Sequence, residues 1–337
     1  MKNSHRTPRN AFRSWWVGCV AMFVLAGCGH MREGSAARAI AYDTELAALL
    51  PRNVGAPHAP SGLAHPTLPQ HPFMARRGAS NMHADSYTSN TYSWSGPLGH
   101  APEVASRAMG FLGGECPTIN FDRHGRIVTV CVDARTPVLL LLDPQTLKVL
   151  SRYELPARRT SLLRLRKAMN DTSGGAYFYL DHHDRAVVGT ADGTIDIVAV
   201  REEDTGPRFE RDERIDLRSA LRFADGTLDK ITAVLPDFRG NYWFVARYGT
   251  VGVVTASRAL RMLRLPGEEI ENSFSIGPEA TYVVSDHALY RFELSAYDKL
   301  EIVWREHYDR GTQRKVGQIN QGSGTTPTLL GDDYVAI

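Results

Sequence analysis

The stretch "PTINFDRHGRIVTVCVDARTPVLLLLDPQTLKVLSRYELP", residues 117–156, contains four short apolar runs separated by turn residues. Asp, Gly, Pro and Thr stand between the runs, and these residue types favour tight turns over helices. The apolar residues show no helical spacing. The stretch therefore predicts four consecutive strands joined by turns.

The same grouping of four runs recurs at residues 176–217, 231–266 and 273–309, and a fifth group begins at 326. Units of roughly 40–50 residues with four strands are typical of β-propeller blades. A β-sandwich is the alternative, but it would not account for the repeated fourfold grouping. We therefore predict an all-β fold, a β-propeller with four full blades and part of a fifth. The first strands of the groups start near residues 117, 176, 231, 273 and 326, so their spacings are 59, 55, 42 and 53 residues.

Four blades and half of a fifth do not close a typical propeller ring. Ile337 lies on an apolar strand, and an unpaired apolar edge favours aggregation. Either residues 80–112 complete the ring, or this sequence is a C-terminally truncated copy of a longer one. We expect the second.

The first 28 residues have the pattern of a leader peptide. Four basic residues and no acidic residue accompany an uncharged, mostly apolar run at Trp15–Gly27, which is short for a membrane-spanning helix. The run ends in "LAGC", residues 25–28, which resembles the lipobox of bacterial lipoproteins. The resemblance implies that Cys28 is lipidated, with palmitate among its acyl chains, and two or three chains suffice for stable anchoring. An ordinary signal peptide with an incidental cysteine is the alternative.

The leader also accounts for the basic charge of the chain. The full sequence carries +2 (39 Lys and Arg minus 37 Asp and Glu), and removal of residues 1–28 leaves −2 (35 minus 37). A nucleic-acid partner is therefore not expected. The predicted location is the bacterial cell envelope, facing the periplasm or the exterior, with the lipid anchor as the membrane contact. Gly29, rather than Asp, follows the cysteine, which by resemblance to known sorting rules favours an outer membrane.

The chain between the leader and the strands is rich in proline. Residues 51–73 contain six prolines and little periodic apolar pattern, which indicates a semi-extended linker. We predict a leader at 1–28, a Pro-rich tether at 29–82 and an incomplete propeller at 83–337.

Three hairpins resemble those of known propeller families. The segment "LLLLDPQTLKVLSRYELP", residues 139–156, resembles YVTN-type surface propellers. The segments "INFDRHGRIVTV", residues 119–130, and "LPDFRGNYWFVA", residues 235–246, resemble hairpins of gluconolactonase-type and two-component-sensor propellers. These hairpins recur across unrelated functions, so the resemblance implies an architecture rather than an activity.

Two cysteines remain beyond the leader, and in an oxidising compartment they predict a disulfide. If the strands around "DRHG" are antiparallel, paired residue numbers sum to a constant. Asp122 and Gly125 give 247, and Cys116 and Cys131 also give 247, so the cysteines lie opposite each other at a bridgeable distance. Zinc would need two further ligands, and a catalytic thiol would need a basic partner. Two free thiols are the remaining alternative.

In propellers, ligands usually bind on the face where the first strand of each blade begins, a rule taken from the fold. We call this end of the blades the channel face, and the end that carries the turns between first and second strands the turn face. The pair His182–His183 falls in a predicted turn on the turn face. We therefore interpret the two histidines as ordinary turn residues rather than as metal ligands. The candidate ligand-binding residues on the channel face are Glu115, Asp229, Lys230, Arg247, Glu271, Asn272 and Asp286.

Gluconolactonase-type enzymes hold one divalent cation at this position with a Glu, two amide side chains and an Asp. By that resemblance the candidate metal ligands are Glu115, Asp229, Asn272 and Asp286, with Ca²⁺ or another divalent cation as the candidate cofactor. Solvated loop carboxylates are the alternative, and no catalytic residue is assigned.

Two hypotheses for the function follow. The first is an envelope-anchored propeller that binds or scaffolds an envelope protein or a glycan. The second is a metal-dependent, gluconolactonase-like hydrolase.

Overall fold

A computed structural model describes residues 68–92, 105–107, 115–132, 136–158, 171, 173–313, 321–331 and 333–337. These residues contain eighteen β-strands and no α-helix. Among them, no helical segment combines the length and apolar character that a bilayer-crossing helix needs.

Sixteen strands form four separate four-stranded antiparallel sheets, and each sheet takes its strands in chain order. We call the sheets blades 1 to 4. Blade 1 contains β1 (Glu115–Phe121), β2 (Ile127–Val132), β3 (Pro137–Leu142) and β4 (Val149–Glu154). Blade 2 contains β5 (Tyr179–Leu180), β6 (Ala186–Gly189), β7 (Thr194–Glu203) and β8 (Gly206–Asp216). Blade 3 contains β9 (Ile231–Pro236), β10 (Tyr242–Ala246), β11 (Thr250–Val254) and β12 (Leu260–Arg264). Blade 4 contains β13 (Ser275–Ile276), β14 (Thr281–Val284), β15 (Ala288–Leu294) and β16 (Leu300–His307), and a final hairpin contains β17 (Thr328–Leu330) and β18 (Tyr334–Ala336).

This topology confirms the predicted fold class, because each predicted group of four runs is one sheet. The position of a strand in its sheet explains its sequence. β9 and β11 are buried along their whole length, and each is apolar except for one threonine. The outermost strand β8, by contrast, is mostly exposed and carries many charges.

Consecutive blades pack on one another. Apolar side chains of blades 1 and 2 share one core, and those of blades 2, 3 and 4 share a second. At the outer strands, the backbone N–H of Phe209 donates to Ser151 Oγ at 3.0 Å, and Arg261 donates to the carbonyl of Asp298 at 2.9 Å. Near the first strands, Tyr177 forms a bridge with Ala233. Neighbouring sheets therefore meet along both their inner and outer strands, as propeller blades do.

A segment N-terminal to the blades lies along their first strands. We call residues 68–92 the inner segment. Its backbone carbonyls accept hydrogen bonds of 2.7 to 3.1 Å from backbone N–H groups of the blades. The carbonyl of Ala79 pairs with blade 1 and that of Ser80 with blade 2. The carbonyl of Ser86 pairs with blade 4 and that of Tyr87 with the final hairpin. Part of the stretch that the sequence assigned to the tether therefore packs against the blades. The division into leader, tether and propeller stays a prediction, and Cys28 lies outside the described residues.

The predicted disulfide is present. Cys116 and Cys131 are bonded, with their Cα atoms 4.1 Å apart. The predicted register holds at the pair Glu115 and Val132, which sums to 247, but from Thr118 and Val130 onward the pairs sum to 248. A β-bulge between Glu115 and Thr118 causes this shift, because it adds one residue to one strand.

Candidate functional site

The seven predicted site residues all lie at the channel-face end of their blades. Glu115 is the first residue of β1, and within the described residues no hydrogen bond or ion pair joins it to the other six. The other six come from blades 3 and 4. Asp229 and Lys230 precede β9, Glu271 and Asn272 precede β13, and Arg247 and Asp286 lie in the loops after β10 and β14.

Asp229 is buried and fastens the β10–β11 loop of blade 3. Its carboxylate accepts hydrogen bonds from the N–H of Tyr248 at 2.6 Å, the N–H of Thr250 at 3.3 Å and the hydroxyl of Thr250 at 2.6 Å. Burial raises the pKa of Asp229, although these hydrogen bonds oppose the effect. Both carboxylate oxygens of Asp229 thus already accept hydrogen bonds from protein groups.

Arg247 is the centre of a charged cluster between blades 3 and 4. Its guanidinium lies 3.2 Å from Glu269 Oε2 and forms a closer ion pair with the buried carboxylate of Glu271. The backbone N–H of Arg247 donates to the backbone carbonyl of Lys230 at 2.9 Å. Buried or partly buried pairs of this kind hold two loops in one geometry.

Lys230 extends this cluster toward blade 2. Its ammonium donates to Asp171 Oδ2 at 2.6 Å. Burial would raise the pKa of Asp171, but the hydrogen bond and charge of Lys230 outweigh it and lower the pKa. The Asp171 carboxylate is therefore the ionised partner of Lys230 at neutral pH.

Asp286, His287 and Arg310 form a second cluster on blade 4. Asp286 accepts from the N–H of Glu269 at 2.7 Å, from His287 Nδ1 at 2.8 Å and from Arg310 at 3.1 Å. Arg310 also lies 2.6 Å from His287 Nε2. Because a guanidinium can only donate, Nε2 must accept and the imidazole proton must lie on Nδ1. The ion pair of Asp286 and Arg310 thus ties the β14–β15 loop to the segment that follows β16.

A third cluster joins Glu268, Tyr290 and Arg305. Tyr290 donates to Glu268 at 2.7 Å, and Arg305 donates to Glu268 at 2.8 Å and to the Tyr290 hydroxyl at 2.6 Å. Burial and the hydrogen bond to Glu268 raise the pKa of Tyr290 to about 12. Burial would raise the pKa of Glu268, but hydrogen bonds from Ser285, Tyr290 and Arg305 outweigh it and lower the pKa.

Asn272 connects blade 4 to the loop before the final hairpin. Its amide nitrogen donates to the carbonyls of Ser323 at 3.1 Å and Thr325 at 3.2 Å, and its oxygen accepts from the Tyr177 hydroxyl at 3.4 Å. The loop approaches so closely that a Cβ at Gly322 would lie 2.4 Å from the Cα of Asp286. The loop is thus packed directly on the second cluster.

Sequence reasoning missed Glu268, Glu269, Arg305 and Arg310. The first two stand in the loop "GEEIENS" from which Glu271 and Asn272 were chosen, so the signal was available. Arg305 lies on the outermost strand β16 and Arg310 follows it, where a local pattern gives no reason to expect contact with the channel face.

The structure places the four predicted metal ligands, Glu115, Asp229, Asn272 and Asp286, on blades 1, 3 and 4. Asp229, Asn272 and Asp286 each bind protein groups, as described above. Within the parts of the chain that the structure describes, no group of three or more His, Cys, Asp or Glu side chains could hold a metal ion. The calcium site stays a prediction. The charged side chains of the channel face are paired with one another, and these ion pairs and hydrogen bonds hold its loops in place.

No family model and no curated protein matches the chain. Among solved structures, it is similar to a protein from Lactobacillus plantarum, at 14% identity and a TM-score of 0.37, over 58% of this chain and 56% of that one. It is also similar to the WD40 domain of SCAP from fission yeast, at 11% identity and a TM-score of 0.33, over 56% of this chain and 44% of that one. The chain thus spans about half the length of these structures, and neither likeness bears on its function.

Proposed function

We propose that this chain is a lipid-anchored β-propeller of the bacterial cell envelope, and that its channel face binds an envelope protein or a glycan. The observation that carries the proposal is the bracing of that face. The clusters around Arg247, Asp286 and Glu268 fix the loops of blades 3 and 4, and a surface fixed before binding loses less conformational entropy when a partner docks.

The exposed groups on this surface suit a partner with both apolar and polar atoms. Tyr248 is 45% exposed, beside the Asp229 anchor, and His287 is partly exposed. Tyr and Arg are the residue types that contribute most to binding interfaces, because each offers contact area together with a hydrogen-bonding end. The face therefore supports a binding role.

Partner capture tests the role of the channel face. We expect crosslinking in intact cells to recover an envelope protein or glycan with the native chain, and to recover much less with Tyr248→Ala. Tyr297→Ala is the matched control, because Tyr297 is 93% exposed on a hairpin after β15 and lies outside this face. Equal recovery with both variants, or no partner with the native chain, would refute the proposal.

Lipid anchoring is tested separately at Cys28. The lipobox supports the anchor, so Cys28→Ser should abolish incorporation of labelled palmitate and release the chain from the membrane fraction. Unchanged labelling would show that Cys28 is not the lipidated residue.

The hydrolase hypothesis makes a different prediction. If Asp229, Asn272 and Asp286 help to hold a cation, calcium or zinc should raise the melting temperature by mass action. Asn272→Ala and Asp286→Ala should each abolish that rise, measured against the variant's own metal-free melting temperature. A rise that survives in both variants would exclude this site.

A further inference from the structure

A cleft lies on the turn face, at the opposite end of the blades from the channel face. The turns of blades 1 and 2 form two of its walls and the inner segment forms the third. Its volume is about 680 Å³, within the range of small-molecule sites. Its charged and imidazole lining residues include Arg76, Arg77, Asp122, Asp181, His182 and His183.

Asp122 and Asp181, two of the three acidic residues in the cleft, are used within their own turns. Oδ1 of Asp122 accepts from the N–H groups of His124 at 3.0 Å and Arg126 at 2.8 Å, and Oδ2 accepts from Arg126 Nε at 2.6 Å. Asp181 caps its turn identically, with Arg185 in place of Arg126. These carboxylates are therefore not open to a ligand.

The third acidic residue, Asp184, ties the two turns together. Its Oδ2 accepts from the N–H of Arg123 at 3.0 Å and from Arg123 Nε at 3.2 Å. The other end of the Arg123 guanidinium donates to the carbonyl of His183 at 2.8 Å. This bridge fixes the width of the cleft between blades 1 and 2.

Several hydrogen-bond donors in the cleft, by contrast, are not used by the protein. Within the described chain, the side chains of Arg76, His182 and His183 make no hydrogen bond or ion pair. Arg77 bonds Asp85 only through Nε, at 3.1 Å, which leaves its terminal nitrogens. The cleft thus presents unused donors from the inner segment and from blade 2.

Part of the cleft lining is apolar. Phe121, Ala75 and Ala79 form it, and Phe73 supports the His182 ring edge-on, with centroids 5.4 Å apart. A ligand that fits must combine several hydrogen-bond acceptors with an apolar portion.

We propose that this cleft binds a phosphoester that carries an apolar group. Guanidinium groups bind phosphate and carboxylate oxygens well, but the donors here stand on more than one wall. A tetrahedral phosphate directs oxygens toward several walls at once, whereas a carboxylate directs both of its oxygens in one plane. The apolar group would lie over Phe121. The phosphoester is either a free phosphomonoester or the headgroup of a phospholipid.

Titration calorimetry tests the proposal on the purified full-length protein in a maltoside detergent. Phenyl phosphate represents a free phosphomonoester, dihexanoyl phosphatidylglycerol represents a lipid headgroup, and phenylacetate is the carboxylate comparison. We expect saturable binding of at least one phosphoester and weaker binding of phenylacetate. The phosphoester that binds more tightly identifies the source.

Two variants should weaken this binding without loss of the fold. Arg76→Ala and His183→Ala each remove an unpaired donor, so each should raise the dissociation constant about tenfold. Arg152→Ala is the control, because Arg152 is an exposed arginine on the outer strand β4 and should leave binding unchanged. Absence of phosphoester binding, equal binding of phenylacetate, or equal affinity in Arg76→Ala and Arg152→Ala would overturn the proposal. None of these results depends on the anchor or on a partner of the channel face.

Discussion

His71 is buried with its imidazole against the ring of Phe238, and the two ring centroids are 4.2 Å apart. Its Nδ1 accepts a hydrogen bond from the N–H of Phe73 at 3.1 Å. Burial lowers the pKa of His71 from 6.5 to about 4, although the charge of Asp237 opposes this. The residue is therefore neutral in the folded chain over a pH range in which an unfolded chain binds a proton.

This difference predicts an acid-sensitive stability. Because the folded-state pKa lies below the unfolded value, stability falls as the pH decreases from 6.5 to about 4, by up to on the order of 3 kcal/mol. His71→Asn keeps an acceptor for Phe73 but cannot titrate, so it should flatten this part of the profile. Urea unfolding at several pH values measures the effect, and equal slopes in both proteins would contradict it.

At Gly249, both the backbone conformation and the available space favour glycine. Its φ is +85°, and a Cβ there would lie 2.5 Å from the carbonyl oxygen of Leu265 and 3.0 Å from that of Glu268. Gly226 has the same φ of +85° but no atom within 4 Å of the added Cβ. A substitution at Gly226 therefore tests backbone strain alone, whereas the same substitution at Gly249 tests backbone strain together with steric conflict.

We expect Gly226→Ala to cost about 1 kcal/mol of unfolding free energy, which is the strain of a left-handed conformation. Gly249→Ala should cost about 2 kcal/mol more, because backbone carbonyls would have to move. Denaturant unfolding of the two variants measures the difference. Equal losses would show that the tight contact at Gly249 relaxes easily.

At the scale of the element, the disulfide closes the first hairpin of blade 1. The bonded cysteines are 15 residues apart, and cross-linking a loop of that length stabilises a fold by about 3 kcal/mol in the chain-entropy model. Cys116→Ala with Cys131→Ala should lower the unfolding free energy by about 2–4 kcal/mol.

The test is urea unfolding with and without reductant. Reductant should lower the midpoint of the native chain and leave that of the double variant unchanged. If reductant leaves the urea midpoint of the native chain unchanged, the strand pairing of β1 and β2 alone stabilises this hairpin.

At the scale of the whole molecule, the inner segment contacts three of the four blades and the final hairpin through backbone hydrogen bonds. Met74 is 3% exposed in the core of blades 2, 3 and 4, whereas Arg76, two residues later, is exposed. We expect Met74→Ala to lower the unfolding free energy by about 2–4 kcal/mol through cavity formation, and Arg76→Ala to change it by less than about 0.5 kcal/mol.

Thermal unfolding followed by circular dichroism measures both variants. A single transition that shifts as a whole in Met74→Ala would show that the inner segment and the blades unfold together. Equal stability of the two variants would show that the segment contributes little to the fold.

Local patterns in the sequence were enough for the strands, their grouping into blades and the disulfide. Alternating or continuous apolar runs between turn residues depend only on neighbours along the chain, as in "INFDRHGRIVTV". The Asp122 and Asp181 turns follow the same rule, because each carboxylate caps N–H groups two and four residues later. The loop positions of Arg247, Glu271 and Asp286 also followed from strand order.

Only the tertiary structure decided the contacts between distant parts of the chain. The bulge that shifts the β1–β2 register, the burial of His71 and the ion pair of Arg305 with Glu268 have no local signature. The cleft beside His182 exists because Arg123 and Asp184, 61 residues apart in sequence, meet between two blades. The physical reason is that a strand forms from its own residues, whereas a brace or a cleft requires the packing of elements that the chain brings together only when it folds.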